Sequence, residues 1–329
     1  MPALRIGTTL PVFPDIAANV DHALWAESED LELWLADGGG PDALTLAAVL
    51  AARTSRVRIG VAVTPVFTRT PASLASAVRV LAEVSEGRFV LGVGASSATI
   101  VEDWHGVEFV RPLTRVKETV ALLRTMLAGE KTDFEGRTLR SHGYRQGATR
   151  FPVPILLAAL RGNMLSLAGE IGDGAVLNLA PRDVLQDLVT TMRGGVPEDE
   201  NPMDREVVLR HHVLVTDDPA AARESFRRKF TSYLATGVYN RFLAWCGQGE
   251  IAGDLEAAWT RGDREATRRA LTDELIDSIA AIGSEDHCRA ALREAIDAGV
   301  HTHILVPLSE DPAAIRRTQA ALTPAALGL

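Results

Sequence analysis

Pro154-Ile155-Leu156-Leu157-Ala158-Ala159-Leu160-Arg161-Gly162-Asn163-Met164 holds a strand, a turn and the start of a helix in one short stretch. An apolar run of strand type empties into Arg161-Gly162-Asn163, and a helical pattern begins at once. The free N–H groups and positive dipole end of such a helix favour an anion. The same order of strand, turn and helix recurs along the chain.

Eight β-type runs follow one another, at 4–10, 31–36, 57–63, 89–93, 153–158, 174–179, 207–215 and 303–308. Most are continuously apolar, as parallel strands buried on both faces are. Helical patterns lie between them. Thr70-Pro71 reads as an N-cap followed by proline at the first helical position. Leu74, Ala77, Val78, Leu81 and Ala82 then share a face, and Gly87 is a stop signal. Eight alternating units predict an α/β fold, a (β/α)8 TIM barrel over residues 1–329 as one domain. A doubly wound open sheet is the rival, weakened because no GxGxxG follows the first strand.

Two connections are longer than turns and make insertions after the fourth and seventh strands. Residues 132–150 contain Phe134-Glu135-Gly136-Arg137, a hairpin turn between short extended segments. Residues 237–283 read as a helical insertion before the last barrel unit. Such insertions cover the catalytic face or build dimer contacts.

Composition narrows the function classes. Of 329 residues, 47% are hydrophobic and 23% charged, an ordinary globular balance. Aromatics are only 5%, so Leu, Val, Ile and Ala must fill the core. A net charge of −9 argues against a nucleic-acid or anionic-membrane partner. The two cysteines, Cys246 and Cys288, lack metal-ligand spacing and fit a reducing compartment. The first residues lack the pattern of a secretion signal, so a cytoplasmic protein is expected. No stretch reaches the roughly 20 apolar residues of a spanning helix.

Three segments carry a family resemblance: residues 59–72 (IGVAVTPVFTRTPA), 87–94 (GRFVLGVG) and 167–178 (LAGEIGDGAVLN). In order, spacing and barrel position they resemble the bacterial luciferase-like superfamily, in particular its coenzyme F420 (deazaflavin) branch, which includes methylenetetrahydromethanopterin reductase. The resemblance covers residues 3 to about 180 and the last strand and helix, and it fades between about 219 and 290. It implies an oxidoreductase that moves a hydride between F420 and a small organic substrate. FMN-dependent monooxygenases share the barrel and are the alternative, with FMN as cofactor. A barrel that binds a ligand without turnover is a second alternative.

The resemblance also implies roles. A non-proline cis peptide in a bulge at the end of the third strand presses on the ring in the family; the matching bond here is Ala62–Val63, with Thr64 beside it. The phosphate loop maps onto Ala158, Ala159, Arg161, Gly162 and Asn163, with Asn178 as a polar partner. Arg161 meets the acidic tail of the deazaflavin or is a solvated surface arginine. Asp37 borders ring and substrate, or else caps the next segment. The sugar-phosphate dehydrogenase relatives carry a histidine after this aspartate and a glutamate after the fourth strand. Gly38 and Ser97 stand in those places, so that activity is not expected. A homodimer is implied.

For acid–base chemistry the loop after the fourth strand offers His105, a residue that titrates near neutral pH, against the commoner surface histidine. Ser96 and Ser97 shape the pocket or donate hydrogen bonds. His211-His212 must send one side chain inward and one outward; the inward one lines the mouth or is a hydrogen-bonded core histidine. His301 and His303 share one side of a strand without an acidic or cysteine partner nearby in sequence, so no metal is expected. Trp245, Trp259 and Phe242 form a helical core in the insertion, or pack over a ligand.

Overall fold

Each of the eight apolar runs is a strand in the computed structural model, which describes residues 2–329. The strands are β1 (Arg5–Leu10), β2 (Glu32–Leu35), β3 (Ile59–Pro65), β4 (Phe89–Gly94), β5 (Asp133–Glu135), β6 (Arg140–His142), β7 (Ile155–Ala158), β8 (Gly174–Asn178), β9 (Glu206–Val215), β10 (Ala280–Gly283) and β11 (Thr302–Pro307). β1, β2, β3, β4, β7, β8, β9 and β11 pair in that order, all parallel, and β11 returns to β1. The ring is closed, which excludes the open sheet. Helices surround it, as the (β/α)8 reading requires.

Local chemistry places the helices where the sequence puts them. Thr70 accepts from the Ser73 amide at 3.2 Å with Pro71 opening helix Pro71–Val84. Its buried face is Leu74, Ala75, Val78, Leu81 and Ala82, with Ala77 only half-buried. Gly87, at φ +85°, supplies the left-handed turn after the helix.

The barrel interior is layered. Its middle layer holds Trp34, Val90, Leu156, Val176, Val208 and Ile304. One indole fills most of that layer because its neighbours are Gly7 and Gly60: a Cβ on Gly7 would lie 2.7 Å from the Trp34 ring, and one on Gly60 nearer still. Below it, at the N-terminal end, sits a buried ionic cluster. Arg58 makes two parallel bonds to Glu206 at 3.0 Å each, and Arg5 reaches Glu32 at 3.1 Å. Thr302 donates to Glu206 at 2.5 Å, and the Trp34 indole donates to Glu32 at 3.0 Å.

The 133–142 hairpin leaves the far end of helix Pro112–Leu127 and folds back along it. The Glu118 carboxylate accepts from the amides of Arg137, Thr138 and Leu139 and from the Thr138 hydroxyl, which fastens the turn. β9 is ten residues long and serves two structures. Its first half closes the barrel against β8, while His212–Val215 pair with β10 above the rim. Helices Pro219–Leu234, Gly237–Trp245, Gly249–Thr260, Arg264–Arg269 and Asp273–Ile279 occupy the interval between β9 and β10. No helix among the described residues is long and apolar enough to cross a membrane.

Candidate active site at the barrel mouth

The C-terminal end of the barrel is built around an irregularity in β3. Val61 pairs with Leu91 and Thr64 with Val93, so Ala62 and Val63 together face only Gly92 across the ladder. This is a β-bulge, and its Ala62–Val63 peptide is cis. The opposite strand makes room for it: a Cβ on Gly94 would come within 2.8 Å of both Val63 and Ala158.

Arg210 reaches the bulge from the far wall, donating from Nη1 to the Ala62 carbonyl at 2.8 Å. No carboxylate pairs with it among the described residues. Burial draws its pKa below the ordinary arginine value, opposed by the Tyr233 and Tyr239 phenols. Beside it a polar chain runs up into the insertion. His212 Nε2 donates to Asn178 Oδ1 at 3.1 Å, and Asn178 Nδ2 donates to the Tyr239 hydroxyl at 3.0 Å. His212 packs edge-on against Phe226 and Phe230. Burial, and then Arg210, push its pKa down to about 3, so the ring is neutral. Its Nδ1 is buried without a partner. Burial raises the Tyr239 phenol well above its usual value.

The phosphate-type loop lies after β7. Ala158 ends the strand, the Ala159 amide donates to Val176 O at 3.1 Å, and helix Gly162–Ile171 begins after an extended Arg161. Gly162 has φ +42° and nothing within 4 Å of where its Cβ would be, so the helix start faces open space. Among the described residues the amides of Gly162 and Asn163 have no acceptor. Arg161 lacks an acidic partner; burial and then the neighbouring Arg241 guanidinium lower its pKa.

The remaining candidates lie around the rim. Asp37 accepts from Arg69 Nε and Nη2, both at 3.3 Å, and Arg69 also binds Asp42, the cap of helix Ala43–Arg53. The carboxylate is therefore held in a clamp between the loops after β2 and β3. Burial opposes ionisation of Asp42, but Arg69 and the Thr45 amide hold its carboxyl down to about 2. Ser97 Oγ accepts from the Ile100 amide at 3.4 Å, at the start of a short π-helix, Thr99–Trp104. His105 follows this helix, exposed; its amide donates to the Glu102 carbonyl, and its side chain has no hydrogen bond among the described residues. Trp104 lies over Gly39, whose Cβ would be 3.1 Å from the indole. Thr64 Oγ is buried at the bulge with no partner.

The histidine pair divides as alternation requires. His212 has the inward position, while His211 points out and meets His303 Nδ1 at 2.9 Å behind the barrel wall. His301 Nδ1 accepts from the Val207 amide. No group of three or more metal-ligating side chains is assembled among the described residues. In the insertion Phe242 is fully buried and stacks on the half-exposed Trp245, and Arg264 covers Trp259.

Sequence reasoning missed Arg210 and Tyr239 as mouth residues. The signal for Arg210 was parity: Val208, Arg210 and His212 share the inward side of β9, and a charge among apolar inward positions is unusual. Tyr239 carried no comparable signal, since its partner Asn178 lies on β8.

Comparison with known proteins agrees with this geometry. A family model described as luciferase-like monooxygenase matches residues 3–302. The chain is 30% identical over 284 residues to a 5,10-methylenetetrahydromethanopterin reductase of Methanolobus tindarius, spanning 85% of this chain and 86% of that one. In structure it resembles the coenzyme F420-dependent tetrahydromethanopterin reductase of Methanopyrus kandleri, with TM-score 0.78, 20% identity, and 99% and 97% of the two chains covered. It also resembles the oxygenating constituent of 3,6-diketocamphane monooxygenase of Pseudomonas putida, bound to FMN, with TM-score 0.70, 17% identity, and 98% and 97% covered.

Proposed function

The chain belongs to the luciferase-like monooxygenase family, and from that premise we propose that it is an oxidoreductase transferring a hydride between coenzyme F420 and a small organic substrate. The observation that carries the reading is the anion cradle after β7. Gly162 is open, the first helical amides are free, and Arg161 and Arg241 stand together without an acid to balance them. Two such cations suit a ligand bearing more than one negative charge, as a phosphate with an acidic tail does. Relatives named as coenzyme F420-dependent support the deazaflavin over FMN.

When bound, the deazaflavin supplies the hydride chemistry. The chain's part is to hold and enclose it. Gly162, Asn163 and Arg161 take the phosphate; Ala62, Val63 and Ala158 offer small apolar surface to the ring; Trp104 and the helices after β9 cover the mouth and limit water. Asp37 borders the substrate from its Arg69 clamp, His105 is the acid–base candidate of the loop after β4, and Ser97 shapes the pocket there or donates a hydrogen bond to the substrate.

A homodimer in the cytoplasm completes the proposal. Val49, Val80 and Val84 are exposed on adjacent helices, which supports a subunit contact. Cys246 and Cys288 are both buried free thiols, in keeping with a reducing compartment.

Parallel titration of the protein with F420 and with FMN, followed by fluorescence, tests the reading. Micromolar binding of the deazaflavin and none of FMN is expected. Preference for FMN would replace the reading with an oxygen-activating monooxygenase.

A further inference from the structure

Arg210 faces inward in the upper barrel, and its position is unusual. β9 and β3 lie four strands apart in either direction round the ring of eight. A side chain rooted on β9 that bonds the Ala62 carbonyl on β3 therefore crosses the full width of the mouth. The guanidinium forms part of the floor, above the apolar layer of Trp34, Val208 and Ile304.

The energetics are as unusual as the geometry. A charge withdrawn from water is costly unless a counter-charge or full hydrogen bonding offsets it. The arginines at the other end of the barrel meet this condition, since Arg5 and Arg58 share Glu32 and Glu206. Arg210 has a carbonyl and two nearby phenols, and no acid. His212 beside it is neutral and its hydrogen bond goes to Asn178, so it does not balance the charge either. Arg210 is half-buried, and an anionic group entering the mouth would stabilise it further.

We propose that Arg210 is a positioning and charge-setting residue, whose unbalanced guanidinium fixes the Ala62 carbonyl and favours the reduced over the oxidised form of the bound ring. The inference rests on the F420 reading above. A bound ring that took up a hydride would carry one more negative charge than before. The electron pair would come from the substrate C–H bond that breaks; the substrate is oxidised at that carbon, and the proton it releases would leave to solvent. A cation at the floor of the mouth would stabilise the more negative, reduced form more than the oxidised one.

The test compares dissociation constants of oxidised and reduced F420, measured anaerobically, for the wild-type protein and three variants. Arg210→Gln removes the charge and keeps a donor, Arg210→Met removes both, and Arg210→Lys keeps the charge; thermal melts confirm folding. The ratio of oxidised to reduced constants is expected to fall about tenfold in the Gln and Met variants, a shift of about 30 mV for a two-electron couple. Arg210→Lys is expected to keep the wild-type ratio. A wild-type ratio in either folded neutral variant overturns the proposal, and so does a Lys variant that behaves like Gln. Failure of the wild-type protein to bind F420 would instead remove the functional reading on which the proposal stands.

Discussion

The two ends of the barrel handle charge in opposite ways. At the N-terminal end two arginines and two glutamates neutralise one another, with Thr302 and the Trp34 indole filling the remaining hydrogen-bond positions. At the C-terminal end Arg210 crosses the mouth with no acid, and Arg161 and Arg241 face the loop after β7 unbalanced. Both ends carry buried or half-buried arginines on the same scaffold. The difference lies in whether the counter-charge belongs to the chain. The satisfied cluster serves the fold; the unsatisfied one is where an anionic ligand is proposed to bind.

The sharpest way to break this comparison is to make the lower end resemble the upper one. Glu206→Ala strips Arg58 of its bidentate partner and should destabilise the protein by about 3–5 kcal/mol, read from urea unfolding. The affinity for F420 of the folded fraction should stay as it was. The same carboxylate gives a pH signature. Burial raises the Glu206 carboxyl, but Arg58, Thr302 and Arg5 together outweigh it and bring the pKa below the usual value. Its contribution is therefore complete above the unfolded carboxylate value of about 4.3 and is lost as pH falls through the lower folded value. Unfolding midpoints measured from pH 7 down to pH 3 should show that loss in the wild type and a shallower decline in Glu206→Gln.

At the mouth the expected effects fall on binding and leave stability alone. Gly162→Asp places bulk and negative charge in the open cradle and should weaken F420 binding by at least about tenfold, or 1.4 kcal/mol. Unchanged affinity would remove this loop from the site. The smallest effect is expected at Asp37. Arg69 keeps Asp42 when Asp37→Asn loses its charge, so stability should change by less than about 1 kcal/mol. Turnover should fall less than tenfold; a loss of a hundredfold or more would make Asp37 a proton-transfer group.

The fold was largely legible because barrel strands are buried on both faces and appear as unbroken apolar runs. β10 escaped notice for the opposite reason. Ala280-Ala281-Ile282-Gly283 is four residues long, follows a helix without a turn signal, and exists only because the upper half of β9 is there to pair with it. The local geometry of the candidate site was foreseen where it lies within one stretch of chain: a helix starts after Arg161, and the bulge at Ala62, which the family resemblance implied, is present. It was not legible where partners come from distant segments. Asp37 and Arg69 meet across two loops, Arg210 and Ala62 across the barrel, and Tyr239 reaches Asn178 from a helix of the insertion after β9.

The ten-residue β9 has a consequence for how such a chain changes over evolutionary time. Its lower half is bound by the geometry of the ring, and its upper half anchors the superstructure through β10. The helices of residues 237–279 thus stand on a foundation of their own, touching the mouth through single side chains such as Tyr239. Substitutions on their outer faces can accumulate without disturbing the barrel beneath. A protein built this way can acquire a new substrate by altering its roof, while the floor stays as it is.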